Sequence, residues 1–314
     1  MFYKTITKAL IAKLMKNKIV VIGSSNTDMV LKTERFPKLG ETILGGEFFL
    51  FQGGKGANQA VAAARLGGQV SFICKVGNDV FGNNAVKHYG HEGIDVSGVL
   101  IEGNAPTGVA VITVNKAGEN SIIVASGANA LLSVNDIKSS GNVLEAADWI
   151  ITQLETPLPV IAYLSLYAKD NKKNLILNPA PALQLPRTVY EGLFLITPNE
   201  NETELLTGIN VNDEDSAKKA AAILKLWGVQ NVIITLGSRG AYLDCEDYCG
   251  IIESFKVTPV DTTAAGDVFN GALVVALTER NSWKEAVQFA CKAAAISVTK
   301  MGAQTSAPTR KEMA

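Results

Sequence analysis

Short, continuously apolar runs rich in β-branched residues alternate along the chain with segments of helical periodicity. The first run, Lys18–Ile22 (KIVVI), ends at Gly23 and is typical of a parallel strand buried on both faces. Repeated strand–helix alternation predicts an α/β fold, a doubly wound, mostly parallel central sheet flanked by helices. Similar runs occupy residues 70–74, 149–152, 175–177, 193–197 and 232–236. The helical patterns cover residues 57–66, 82–89, 135–147, 159–169, 215–227, 265–278 and 283–299.

Two segments interrupt this alternation. Residues 41–52 favour a strand, and residues 107–126 favour a hairpin whose arms flank the turn-forming sequence NKAGEN. Antiparallel pieces inserted between strand–helix units are not expected to join a parallel sheet. We therefore predict a small antiparallel β lid, formed by about residues 32–52 and 97–126, that covers a site. A decorative edge extension explains the same pattern.

Composition adds limits on domain number and partners. The chain has 314 residues, of which 47% are hydrophobic and 19% charged, so we expect a single globular domain over residues 18–314. A net charge of −1 gives no reason to expect nucleic acid, and no apolar run approaches the ~20 residues needed to span a membrane. Four cysteines without disulfide-scaffold spacing suit the reducing cytoplasm. Residues 1–17 form a lysine-rich N-terminal extension that lacks a secretory cleavage pattern.

Polar loops follow the first predicted strands, where ligands bind in doubly wound sheets. In GSSNTD, the side chains of Asn26 and Asp28 can pair with the vicinal hydroxyls of a sugar, although both residues also favour ordinary turns. The next loop, GGKGAN, opens a helix but is not a phosphate-binding P-loop, because residue 49 is Phe and no Ser or Thr follows Lys55. Its glycines would instead bring Lys55 and Asn58 close to another polar ligand.

Three later loops also carry polar residues. Glu155 follows the strand at 149–152 and could accept a hydrogen bond from a sugar hydroxyl, or simply be solvated. TPNENE clusters Asn199, Glu200 and Glu202, which suits magnesium held through water but also suits the start of a helix. TLGSRG, residues 235–240, is suited to wrapping a nucleotide or to a plain hairpin turn.

The segment 259–273, PVDTTAAGDVFNGAL, places a carboxylate among small residues at the start of an apolar helix. The unpaired N–H groups and the helix dipole make such a start an anion site. Asp267 can either complement the dipole or act as a base beside a bound phosphate.

The five loops occur in a fixed order: GSSNTD, GGKGAN, TPNENE, TLGSRG and DTTAAGD. From about residue 18 to residue 308 the chain resembles the ribokinase family of small-sugar kinases, and GGKGAN with TTAAGD in this order is specific for it. The resemblance implies ATP-dependent phosphorylation of D-ribose at the 5-hydroxyl, with Mg²⁺, K⁺ as an activating cation, and a homodimer formed through the β lid. Kinases of deoxyribose, another pentose or a nucleoside remain alternatives, as does a non-catalytic sugar sensor.

The resemblance also implies residue roles. Asp267 matches the catalytic base, and the backbone anion hole matches Ala264, Ala265 and Gly266. The ribose-binding positions match Asn26, Asp28, Gly54, Lys55, Asn58, Glu155 and Asp267. The positions that hold ATP and its magnesium match Asn199, Glu202, Thr235, Gly237, Ser238 and Gly240. The monovalent-cation positions match Asp261, Thr263, Ser297, Gly302 and Ser306.

Two residues depart from the family pattern. Ala264 stands where many members carry glycine, which restricts the backbone slightly. Cys291 stands at an adenine-side position where His or Asn is familiar, which puts the base contacts in doubt.

Overall fold

A computed structural model describes residues 18–314, so the extension predicted for residues 1–17 lies outside the described residues. Within the described part, no helix is long and apolar enough to cross a membrane. The strands are β1 Lys18–Ile22, β2 Asn26–Lys32, β3 Glu47–Gly53, β4 Gln69–Gly77, β5 Val99–Glu102, β6 Gly108–Val114, β7 Asn120–Ala125, β8 Trp149–Thr152, β9 Asn174–Leu177, β10 Leu195–Ile196, β11 Asn231–Thr235, β12 Ala241–Asp244 and β13 Cys249–Ile252. The helices are α1 Lys55–Arg65, α2 Val80–His91, α3 Val134–Ser139, α4 Gly141–Ala146, α5 Leu158–Asn171, α6 Arg187–Tyr190, α7 Glu200–Thr207, α8 Glu214–Leu226, α9 Ala265–Thr278 and α10 Trp283–Ser297.

The central sheet of the described chain has nine strands in the order β13-β12-β11-β10-β9-β8-β1-β4-β5. Strand β1 lies inside it and pairs in parallel with β4 and β8. Among these nine strands only β12 runs against the others, because it pairs antiparallel with β11 and with the edge strand β13. The predicted doubly wound, mostly parallel sheet is therefore confirmed.

Two hydrophobic clusters cover the two faces of the sheet. Ile19 and Val21 belong to the cluster that includes α1, α9 and α10, whereas Val20 and Ile22 belong to the cluster with α5 and α8. Successive side chains of a strand point to opposite faces, so a strand buried on both sides must be apolar throughout. This explains why KIVVI shows no polar alternation.

A separate four-stranded sheet has the order β3-β2-β6-β7. Its outer pairings are antiparallel, whereas the central strands β2 and β6 pair in parallel. The strands differ from the predicted lid bounds of 32–52 and 97–126. The small sheet begins earlier than predicted, at Asn26, and only three residues separate β1 from β2. Val99–Glu102, which was predicted to belong to the lid, pairs instead with β4 in the central sheet.

Helix predictions hold best where the apolar pattern is uninterrupted. The segment 265–278 forms a helix with the expected bounds. The predicted helix at 135–147 is instead two short helices that meet at Ser140. The TLGSRG loop links two antiparallel strands through one short 3₁₀ turn.

Candidate active site

Helix α9 starts with an unusual backbone conformation. Its N-cap residue Ala264 has φ 60° and ψ 13°, in the left-handed region that costs a non-glycine residue about 1–2 kcal/mol. This turn directs the chain into the helix so that Gly266 and Asp267 lie in its first turn, where N–H groups lack intrahelical acceptors. A Cβ built on Gly266 would meet nothing within 4 Å. Space is therefore open beside the start of the helix.

Two amide side chains from α1 hold the Asp267 carboxylate. Asn58 donates from Nδ2 to Oδ2 at 3.0 Å, and Gln59 donates from Nε2 to Oδ1 at 3.0 Å. The helices can approach because Gly271 faces α1, where an added Cβ would lie 2.7 Å from the carbonyl oxygen of Gln59. Asp267 is only 5% exposed. Burial raises its pKa above the ordinary value, although Lys55 and the two amides oppose this.

Lys55 and Glu155 lie beside this carboxylate. The Glu155 Oε2 atom accepts hydrogen bonds from Ser24 Oγ at 2.5 Å and from the Lys55 backbone N–H at 3.0 Å. Burial on its own would lower the pKa of the Lys55 ammonium, but Asp267, Glu155 and Glu202 raise it above its ordinary value. Lys55 is therefore a charged group among three carboxylates.

Asn26 and Asp28 project from the first strand of the small sheet. Asn26 accepts a hydrogen bond at Oδ1 from Asn129 Nδ2 at 2.7 Å. The Asp28 carboxylate packs against Gly53, where an added Cβ would lie 2.3 Å from both of its oxygens. Burial, followed by the charges of Glu155 and Asp267, raises the pKa of Asp28 to about 7. Asp28 and Glu155 thus interact electrostatically with the Asp267 carboxylate.

A cavity of about 650 Å³ extends from this cluster along the carboxyl ends of the strands. Lys55 and Asp267 line one end of it, whereas Asn26, Asp28, Asn58 and Glu155 are not part of its wall. It brings together all of the predicted nucleotide and anion positions: Ala264, Ala265, Gly266, Asn199, Glu202, Thr235, Gly237, Ser238, Gly240 and Cys291. One continuous space therefore joins the predicted base to the predicted nucleotide loops.

Cys291 forms part of an apolar wall of this cavity, together with Ala294, Ala295 and Val298. It is 3% exposed, and burial raises the pKa of its thiol to about 12. The side chain is therefore a neutral, small hydrophobic group at this wall.

Asn199 and Glu202 form a capping box at the start of α7. The Asn199 side chain accepts from the Glu202 N–H at 2.8 Å, and Glu202 Oε2 accepts from the Asn199 N–H at 2.9 Å. The helix-start interpretation of TPNENE is thus correct, and the same residues also line the cavity. Burial, with a smaller effect from Asp267, raises the pKa of Glu202, while the Asn199 N–H and Lys55 oppose it.

The predicted monovalent-cation residues lie on two adjoining segments. Asp261 accepts from the backbone N–H groups of Thr263 and Gly302, both at 2.9 Å. The backbone N–H of Asp261 donates to the carbonyl of Val298 at 3.1 Å, next to the buried Ser297. Ser306, also buried, lies in the same C-terminal segment as Gly302. Burial alone would raise the pKa of Asp261, but these hydrogen bonds lower it.

Sequence reasoning missed a buried group of polar side chains behind Asp267. Gln59 also donates from Nε2 to Asn178 Oδ1 at 3.0 Å, and Asn178 lines the cavity. Thr197 donates to Asn270 Oδ1 at 2.7 Å, and Asn270 donates to the Gly266 carbonyl at 2.8 Å. The sequence signal that could have revealed this group is the presence of polar residues, Gln59 and Asn270, inside the otherwise apolar patterns of α1 and α9.

Comparison with known proteins agrees with this fold, which is that of carbohydrate kinases. The family model described as pfkB family carbohydrate kinase matches residues 16–310. The chain belongs to this family, and the family resemblance predicted from the five ordered loops is confirmed.

Individual relatives cover almost the whole chain. The chain is 46% identical to a ribokinase of Haemophilus influenzae, over 95% of this chain and 97% of that protein. It is 37% identical to a deoxyribokinase of Salmonella typhimurium, over 93% of this chain and 95% of that protein. The solved structure of Arabidopsis thaliana ribokinase complexed with ribose and ATP has a TM-score of 0.88 and 32% identity, covering 95% and 98% of the two chains.

Proposed function

We propose that this protein is a kinase that phosphorylates D-ribose at the 5-hydroxyl with ATP, giving D-ribose 5-phosphate and ADP. The observation that carries the proposal is the position of Asp267, a buried carboxylate on the first turn of a helix, between a polar cluster and a long cavity. The ribokinase of Haemophilus influenzae, 46% identical over nearly the full length, supports the choice of sugar. Phosphoryl transfer needs mainly alignment and charge stabilisation, which such a site supplies.

Asp267 is the proposed general base. A carboxylate with a raised pKa accepts a proton more readily than an ordinary one, and a positioned base typically contributes ~10²–10⁴ in rate. Lys55 helps to keep Asp267 ionised despite its burial. As the sugar oxygen bonds to the γ-phosphorus of ATP, the bond between that phosphorus and the bridging oxygen breaks and ADP leaves, while the hydroxyl proton passes to a carboxylate oxygen of Asp267.

The backbone at Ala264, Ala265 and Gly266 is the proposed anion hole. The first turn of α9 offers backbone N–H groups and the positive end of the helix dipole to the transferred phosphoryl group, and the Ala265 N–H would exchange its 3.3 Å hydrogen bond to the Thr262 carbonyl for a phosphate oxygen. Small side chains leave that approach open, as the free space beside Gly266 indicates. Donors held in this way stabilise developing negative charge without rearranging.

The sugar site is proposed to lie between the small sheet and α1. Asn58 donates its amide N–H to Asp267, so its Oδ1 atom, which has no partner among the described residues, is left to accept from a sugar hydroxyl. Asp28 and Glu155 supply further acceptors. The other proposed sugar contacts are Asn26, Gly54 and Lys55.

ATP is proposed to occupy the long cavity. Gly237 and Gly240 have φ values of 55° and 104°, and a Cβ on Gly240 would lie 2.0 Å from the Ile252 carbonyl. This tightly turned backbone brings Thr235 and Ser238 to the cavity wall. Cys291 offers the adenine ring an apolar surface and no charged contact.

Two cations complete the proposal. The oxygens of Asn199 and Glu202 fit magnesium held through water, because Asn199 occupies only one Glu202 carboxylate oxygen. When bound, magnesium neutralises charge on the ATP phosphates. For potassium, the oxygen-rich segments around Asp261, Thr263, Ser297, Gly302 and Ser306 offer a suitable donor set. Since Asp261 hydrogen-bonds both segments, it holds them together directly before α9.

The small sheet is proposed to act as a lid and to form a homodimer. It carries exposed apolar side chains on both pairs of strands, including Phe48 at 60%, Leu50 at 52% and Ile123 at 71% exposure. Exposed apolar residues concentrated on one small sheet fit a second copy of the same chain better than solvent. Lid closure would exclude water, which competes with the sugar as phosphoryl acceptor. We expect the enzyme in the cytoplasm, without nucleic acid or membrane partners.

An acceptor panel tests the function. The purified protein is given ATP and magnesium with ribose, deoxyribose, arabinose or a ribonucleoside, and ADP release is compared as kcat/KM. We expect ribose to give the highest value. The deoxyribokinase of Salmonella typhimurium, 37% identical, makes deoxyribose the specific second candidate. Ribose binding without ADP release from any sugar would instead indicate a sugar sensor.

A further inference from the structure

Gln59, a residue of α1, is completely buried and therefore cannot touch a substrate. Its neighbour Asn58 reaches the same carboxylate but also has an oxygen left for a ligand. Gln59 contributes both of its amide N–H groups to fixed acceptors, Asp267 Oδ1 and Asn178 Oδ1, each at 3.0 Å. Both of its donor hydrogens are thus committed inside the protein.

The orientation of the Gln59 amide follows from its partners. An ionised Asp267 carboxylate can only accept, so the Gln59 nitrogen must face it and the Gln59 oxygen must face away. That oxygen accepts from Gln153 Nε2 at 2.7 Å. Gln153, which is 1% exposed, thus bonds the far side of the Gln59 amide, whereas the acceptor-only carboxylate of Asp267 sets the direction in which that amide faces.

The same hydrogen bonds connect the carboxylate to the start of α9 by a second route. From Gln59 the path runs to Asn178, whose Nδ2 lies 3.4 Å from the carbonyl of Thr197. Thr197 then bonds Asn270, which bonds the carbonyl of Gly266. The side chain of Asp267 and the backbone next to it are thus tied to one buried network, which restricts their relative movement.

We infer that Gln59 is a positioning residue that sets the plane of the Asp267 carboxylate against the first turn of α9. The inference rests on the proposed function, in which Asp267 is the base. A hydrogen bond from an amide to a buried carboxylate is charge-assisted and therefore stronger than a neutral one. Without it, the carboxylate can rotate away from the attacking hydroxyl.

The test compares two substitutions of equally buried glutamines. Gln59→Leu removes both donors to Asp267 and Asn178, whereas Gln153→Leu, the matched control, leaves the Asp267 hydrogen bonds in place. We expect Gln59→Leu to lower kcat by about 10- to 100-fold, with KM for sugar and for ATP within about threefold of wild type. Gln153→Leu should lower kcat by less than about fivefold.

A pH profile separates positioning from a general loss of structure. The charged groups that act on Asp267 are Lys55, Asp28, Glu155 and Glu202, and all four remain in both variants. The Gln59 hydrogen bond lowers the pKa of Asp267, so its loss should move the acidic limb of the kcat profile to higher pH. The Gln153→Leu profile should keep its limb in place. The inference would be overturned if kcat fell equally in both variants and the acidic limb of neither pH profile moved. It would also be overturned by a near-normal kcat in Gln59→Leu.

A second measurement does not depend on activity. A carboxyl group with a raised folded-state pKa loses stabilisation as pH rises, so Gln59→Leu should lose more unfolding free energy than Gln153→Leu between pH 5 and pH 8. Gln59→Met, which keeps the side-chain size and adds no titratable group, should show the same direction if Gln59→Leu folds poorly. A protein that phosphorylates no sugar but shows this difference would refute the proposed function and leave the Gln59–Asp267 coupling intact. Equal pH dependence in all variants would refute the coupling.

Discussion

Asp28 links the chemistry of the sugar site to the pH dependence of folding. Burial, then the charges of Glu155 and Asp267, raise its pKa from 3.8 to about 7. Because the folded-state pKa exceeds the unfolded one, the folded protein binds this proton more tightly. The stabilisation is fully present below about pH 4 and is lost as pH rises through about 7. Replacing Asp28 by Asn removes the titration and hence this loss.

The magnitude follows from the size of the shift. Each pH unit inside the window changes the unfolding free energy by up to about 1.4 kcal/mol, and about two units of the window lie between pH 5 and pH 8. We take the unfolding free energy of Asp28→Asn minus that of the wild type. Allowing for water that still reaches the carboxyl group, we expect this difference to be about 2 kcal/mol more positive at pH 8 than at pH 5. The same substitution should weaken ribose binding.

Urea unfolding of the ligand-free proteins at the two pH values measures this difference. Asp136→Asn is the control, because burial alone would raise the Asp136 pKa but hydrogen bonds from Lys75 and Ser133 lower it. Asp136 stays ionised throughout this pH range, so its substitution should have the same effect at pH 5 and pH 8. If the effect of Asp28→Asn is also equal at both values, the carboxylate is not buried as described and the reasoning is refuted.

Three further predictions concern the glycine beside Asp28, the lid and the cation site. Gly53→Ala places a Cβ 2.3 Å from the Asp28 oxygens, so kcat/KM for ribose should fall by about 10- to 100-fold with KM for ATP little changed, and unaltered steady-state kinetics would contradict this packing. Ile123→Glu should convert the proposed dimer to a monomer in sedimentation velocity, since Ile123 is 71% exposed on the small sheet, whereas an unchanged sedimentation coefficient would argue against that interface. Potassium in place of sodium should raise kcat in wild type but not in Asp261→Ala, and indifference of the wild type to the cation would count against the site.

Local patterns predicted those elements whose stability depends on burial alone. The strand Lys18–Ile22 is apolar at every position but the first, and both faces of the sheet are covered. The helix Ala265–Thr278 was predicted with the observed bounds, because small residues precede a mostly apolar segment. In both cases the local order of apolar and small residues is sufficient to determine the element.

Long-range pairing was not predictable in the same way. Asn26 and Asp28 were placed on a loop because they follow the first predicted strand, but they lie in a strand that is set by pairing with β3 and with β6, more than 80 residues later. Ala264 was expected to restrict the backbone slightly, whereas it adopts the left-handed conformation. The surrounding tertiary contacts must stabilise this conformation, and no local pattern reveals them.

The network around Asp267 shows the same limit. Gln59 follows Asn58 directly and was given no role, because its partner lies 208 positions further along the chain. The helix-start and ligand interpretations of Asn199 and Glu202 were treated as alternatives, although a capping box can itself line a cavity. The sequence therefore predicted which side chains could bind a ligand, but it did not predict which side chains hydrogen-bond to one another.

The central claim is that this protein transfers phosphate from ATP to ribose with Asp267 as the base. Its most direct test is to measure the turnover of Asp267→Asn and of the wild type with ribose and ATP, using ADP release as the readout. The affinity of both proteins for ADP is measured as a control. We expect kcat to fall by about 10²–10⁴-fold while ADP affinity stays near the wild-type value. Near-normal turnover by Asp267→Asn would contradict the claim.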